Sequence, residues 1–137
     1  MTSKPISPDF DWVIARSNCS IAVVFKELEL GVIDDLEKAQ SLVPPKNQWK
    51  KFSVTNTIGN RFAASRIDNT LTGFAKFVSF SCTDSEIQVL DANDRLLMAA
   101  TLTLTNEGEC KLKVGDQELY QWQFRRMALE GLLFPAG

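Results

Sequence analysis

The chain has 137 residues, 45% of them hydrophobic, enough to bury a core without metals or cross-links. Fifteen basic against seventeen acidic residues leave a formal net charge of -2, which excludes a chain-wide field drawing it to nucleic acid or an anionic membrane. The complete lack of histidine excludes Ser-His-Asp and Cys-His nucleophile systems, a histidine base and histidine-bearing zinc sites.

One domain spanning 1–137 is expected, with residues 1–7 as a flexible lead. Residues up to about Val43 read as helical. Ser7-Pro8 followed by Asp9 and Asp11 has the features of a helix start: a capping oxygen, a proline at the first position and acids over the positive dipole end. Phe10, Val13 and Ile14 then share a face. Ser20 is placed to cap a second helix, in which Ile21, Val24, Phe25, Leu28, Val32, Leu36, Ala39 and Val43 recur at helical spacing. Residues 20–43 allow one helix or two. In the second case Gly31 breaks the run and Asp34, with Glu37 three residues on, restarts it as a capping box. Pro44-Pro45 ends the region under either reading.

From residue 49 to 114 the pattern changes to period two, rich in β-branched and aromatic residues. Six strands are predicted, over 49–55, 61–67, 74–81, 86–90, 95–104 and 109–114. In the fifth, Leu96, Met98, Ala100, Leu102 and Leu104 fall on one face and Thr101, Thr103 and Thr105 on the other. After a turn at Asn106-Glu107-Gly108, Cys110, Leu112 and Val114 point inward while Lys111 and Lys113 point out. Connections this short permit antiparallel pairing and leave no room for parallel crossovers. A last helix is predicted over 118–134. Helices, then a meander, then a helix define an α+β domain whose C-terminal helix covers one face of the sheet.

The cysteines, Cys19, Cys82 and Cys110, are odd in number and widely spaced. They are expected to be unpaired, with Cys110 a small core residue, and so to suit a reducing compartment. The longest apolar runs, 21–25 and 96–100, are too short to span a bilayer, and no charged segment leading into an apolar run opens the chain. A soluble cytoplasmic protein is expected, and the glycosylation-like Asn18-Cys19-Ser20 is discounted accordingly.

The remaining chemistry is sparse. No glycine-rich phosphate loop, cysteine metal cage or calcium loop is present, so no cofactor or metal is expected. Asp34 and Asp35 are helix neighbours pointing roughly 100° apart, a poor acid–base pair. Asp91 and Asp94 flank a turn that suits their side chains. The chain is therefore expected not to be an enzyme.

Two segments invite binding. Between residues 46 and 66 lie Lys46, Lys50, Lys51, Arg61 and Arg66 with no acid, and Trp49, Phe52 and Phe62 are interspersed. Cations for phosphates and rings for bases make Trp49, Lys50, Lys51, Arg61 and Arg66 a candidate single-strand nucleic-acid site, the least favoured reading given the net charge. The acids Glu27, Glu29, Asp34, Asp35 and Glu37 offer an opposing surface. In the last helix Leu119, Trp122, Leu129 and Leu133 form one apolar stripe and Tyr120, Phe124, Met127 and Phe134 another, nearly opposite. A surface helix needs one. Tyr120, Trp122, Phe124, Arg125, Arg126 and Met127 are therefore the candidate partner-binding residues. Arg126 lies within the first stripe and Arg125 nearer its edge, each with its stem laid on the surface and its head in water. The expected function is a non-catalytic interaction or adaptor domain that works through this helix, most readily as a homodimer, otherwise with another protein. The second reading is an apolar small-molecule binder with a pocket between curved sheet and helix, Arg126 or Arg66 meeting the ligand's polar end. No membrane partner is expected.

Overall fold

A computed structural model describes residues 10–47, 50–56, 59–69 and 74–134. The expectations placed on Ser7, Pro8, Asp9 and Trp49 lie outside the described residues. Two helices, α1 (Trp12–Asn18) and α2 (Ile21–Ser41), and a 3-10 turn at Pro45–Asn47 precede seven strands: β1 (Lys51–Asn56), β2 (Arg61–Asn69), β3 (Phe74–Cys82), β4 (Ile87–Leu90), β5 (Leu96–Leu104), β6 (Cys110–Val114) and β7 (Gln117–Leu119). Helix α3 (Gln121–Leu133) follows. The strands form one antiparallel sheet in sequence order, the meander that the short connections imply. The fold is α+β, with the helices packed against the sheet.

Asp11 caps α1, its side chain accepting from the Ile14 N–H at 3.1 Å. Ser20 caps α2 as expected, accepting from Val23 N–H. The two-helix alternative is not realised, because α2 runs through Gly31 for 21 residues. Asp34 caps nothing and instead pairs with Lys38 one turn on, at 2.8 Å. That bond, with the attraction of Asp34 behind it, raises the Lys38 ammonium above the usual lysine value.

Alternation sets which side chains enter the core. Phe62 and Ala64 of β2, Phe80 of β3, Ile87 and Val89 of β4, Ala100 of β5 and Leu112 of β6 are buried in one cluster with Leu28 and Val32 of α2 and Phe124 and Leu129 of α3. The rings of Phe62 and Phe80, cross-strand partners, stack at 4.8 Å, and Phe25 of α2 meets Phe62 at 5.2 Å. Burying each such side chain contributes about 2 kcal/mol or more. The other face carries polar pairs: Ser53 and Ser65 share a 2.8 Å hydrogen bond, and Thr101 and Thr103 pair with Lys113 and Lys111.

The edge strand β1 is covered by one side chain. Gln40 of α2 accepts from Phe52 N–H at 2.8 Å and donates to the Lys50 carbonyl at 3.0 Å, satisfying edge groups that would otherwise invite another strand.

The last helix is shorter than predicted. Glu118 and Leu119 are not its first turn but belong to β7, turned back on β6 through Gly115 and Asp116, with Val114 opposite Gln117. Gly115 has φ +59°, a left-handed conformation that glycine adopts without the steric cost of a side chain. Leu119 consequently buries its side chain from a strand rather than from the helical stripe.

Candidate functional site

A largely apolar, open groove of about 360 Å³ lies between the C-terminal half of α2 and α3. Ala39 and Leu42 line it from α2 and the residue after it. Trp122, Leu129 and Leu133 line it from α3, with Phe134 just beyond the helix end. Leu42, Trp122 and Phe134 are 72%, 53% and 64% exposed, so the groove is flanked by apolar surface in water. The rim is charged and internally paired: Lys38 with Asp34, Arg125 with Asp35, and Arg126 with Glu130. The helical spacing of Trp122, Leu129 and Leu133 pointed to the α3 wall. The α2 wall was not visible, because Ala39 belongs to the packing pattern of α2 and nothing in the sequence singles out Leu42.

The expectation that both arginines keep their heads in water holds for Arg126 and fails for Arg125. Arg126 is the exposed one, reaching along its own helix to Glu130 at 3.3 Å. Arg125 is half-buried between the helices, its Nε donating to Asp35 Oδ2 at 2.7 Å and its Nη1 to Gln121 Oε1 at 2.6 Å. Gly31 makes room for it. A Cβ at residue 31 would stand 2.6 Å from Arg125 Nη1 and 2.9 Å from Cζ, closer than atoms can pack. The glycine that looked like a helix break is a seat for a guanidinium.

The other candidate residues separate. Phe124 is fully buried against the sheet, whereas Tyr120 and Met127 are exposed. Lys111 lies over the Tyr120 ring at 4.6 Å, a cation–π contact that joins β6 to the entrance of α3. Tyr120 N–H donates to Gln123 Oε1 at 2.8 Å, which closes the first turn.

The basic set of residues 46–66 does not share a face. Lys51 and Arg61 point to the polar side of the sheet from opposite ends of the β1–β2 pair, six or so residues and thus roughly 20 Å apart. Arg61 is paired with Asp94. Arg66, two and four places from Ala64 and Phe62, points into the core, where it is 3% exposed and donates through Nη1 to the Leu132 carbonyl at the end of α3. Lys50 gives its carbonyl to Gln40. The acidic segment draws cations inside the molecule, Lys26 at Glu29, Lys38 at Asp34 and Arg125 at Asp35.

The cysteine reading needs correction. Cys19 and Cys110 form a disulfide, and only Cys82 is a free thiol. Cys110 does face inward, as alternation predicted, but its partner comes from the α1–α2 junction, a pairing that spacing alone could not supply. The inference of a reducing compartment from three unpaired thiols loses its premise. Burial, and then the charge of Asp84, push the Cys82 thiol up, which makes it a poor nucleophile at neutral pH. Asp91 serves its turn, accepting from Asn93 and Arg95 N–H. Among the described residues no cluster of cysteine and carboxylate side chains is placed to hold a metal ion, and no helix is long and apolar enough to cross a membrane. No protein-family model matches the chain, and neither does any curated protein or solved structure compared with it.

Proposed function

We propose that the chain is a non-catalytic protein-interaction domain whose contact surface is the α2–α3 groove, and that its first partner is a second copy of itself. The observation that carries this reading is the exposure of Leu42, Trp122 and Phe134 around an apolar floor. Large contiguous apolar surface is costly to leave in water, and a two-fold contact would cover it on both copies at once. The rim suits such a contact. Three acids, Asp34, Asp35 and Glu130, alternate with three bases, Lys38, Arg125 and Arg126, so two copies meet without net repulsion. Light scattering at tens of micromolar is expected to give twice the chain mass, and Trp122→Glu to return it to the monomer by placing a charge on the apolar wall of the groove. A wild-type monomer at that concentration would refute self-association.

A small apolar ligand is the second reading, and one observation favours the groove as its place. The groove volume lies at the lower end of the range of small-molecule sites, with Arg126 at the rim to meet a polar end. The space between sheet and helices, by contrast, is occupied by Phe62, Phe80 and Phe124. Single-strand binding has lost its common face. Its expected result is no measurable binding of a short single strand in low-salt buffer, where counterion release would help it most.

A further inference from the structure

We propose that the Cys19–Cys110 disulfide is a redox-sensitive clasp that holds α1 on the sheet, and that a dithiol reductant releases residues 10–18 while the α2–sheet–α3 core stays folded. Helix α1 contributes no buried residue, and Trp12, Val13 and Ile14 are each more than half exposed. What holds it besides the disulfide is slight. The Phe10 ring lies against Gly108 of the β5–β6 turn, so closely that no Cβ would fit there. The core that remains after release has its own cluster, in which no α1 residue takes part.

Cys19 caps the end of α1 and so lies at the junction with α2. It directly precedes Ser20, the cap of α2, and therefore sits over the positive end of a 21-residue helix. Arg16 reaches its carbonyl at 3.3 Å, placing a guanidinium beside it. Cys110 is the more exposed partner, since Cys19 is 5% exposed and Cys110 is half-buried. The reductant's thiolate accordingly attacks Cys110 Sγ, the S–S bond breaks, and its electron pair leaves on Cys19 Sγ. The reductant's second thiol then attacks the reductant sulfur of the mixed disulfide. This releases Cys110 and closes the reductant into its own disulfide, with two electrons passing to the protein and two protons from the dithiol available to the cysteines. An open cleft beside Cys19, lined by Arg16, Ser20, Asp84 and Thr101, brings water to the new thiolate.

The test uses the full chain with and without dithiothreitol. Thiol titration in denaturant is expected to find one thiol before reduction and three after it. On reduction, hydrogen exchange in residues 12–19 is expected to quicken at least tenfold, and trypsin to cut faster after Arg16, with α2, β2, β3 and α3 keeping their protection. Cys110→Ser should behave as reduced protein without reductant, and Cys82→Ser as wild type. Three thiols before reduction, equal exchange in both states, or loss of protection throughout the core would each overturn the proposal.

Discussion

Replacing Arg66 with methionine is expected to destabilise the protein by about 3 kcal/mol, read as a fall in Tm of roughly 10 °C. Two effects compete. Removing a buried cation relieves its desolvation, which favours methionine. Against this, the guanidinium donates to the Leu132 carbonyl, one of the last-turn acceptors of α3 that have no partner within the helix. The last turn of α3 has no basic residue of its own, so Arg66 also supplies the positive charge that the negative end of the dipole favours. Methionine would leave that buried acceptor without its donor, at about 1–3 kcal/mol, and lose the charge–dipole attraction as well. The loss is therefore expected to win. Arg66→Lys should recover part of it, keeping the charge but not the reach and fork of the guanidinium. An unchanged or higher Tm for Arg66→Met would show that desolvation dominates and that the arginine is not an anchor.

That position also shows what the sequence could and could not convey. Strand alternation placed Phe62, Ala64 and Arg66 on one face, so the burial of Arg66 was legible in principle. Its charge suggested either the surface set or the polar end of a pocket, and its acceptor at Leu132 could not be named because that belongs to a helix far along the chain. The long elements were readable because each carries its period over many residues, as α2 and β5 do. Strand β7 was not, because three residues are too few to show a period; the available signal was the Gly115-Asp116 pair, a short hairpin connection. The disulfide lay beyond reach for a different reason: inward direction can be read from alternation, but a partner for Cys110 can be named only when α1 and α2 are seen to meet β6. The candidate groove was half visible, one wall being the stripe of Trp122, Leu129 and Leu133.

The pairing of Gly31 with Arg125 makes the sharpest test of how that groove is built. Arg125→Ala is expected to cost about 2 kcal/mol, since it leaves the half-buried Asp35 without its partner and removes the stem packed between α2 and α3. Arg126→Ala, whose exposed pair lies on one helix, should stay within about 0.5 kcal/mol. Gly31→Ala carries the opposing terms. Alanine in mid-helix is favoured over glycine by about 1 kcal/mol. In the wild type its Cβ would meet the Arg125 guanidinium at 2.6 Å and press on Cδ at 3.0 Å, so the head cannot simply swing aside and keep its bond to Asp35. Gly31→Ala alone is therefore expected to destabilise by about 1 kcal/mol, the clash and the weakened pair outweighing the gain in helix propensity. With Arg125 already alanine the obstacle is gone, and the same change should stabilise by about 1 kcal/mol. Denaturant unfolding of the four proteins gives the coupling directly, expected near 2 kcal/mol. Additive effects would mean that the guanidinium does not rest on Gly31. Because Arg125 ties α2 to α3 along one rim of the groove, the variants that displace it should also weaken self-association, whereas Arg126→Ala, which leaves the helix spacing intact, should weaken it less.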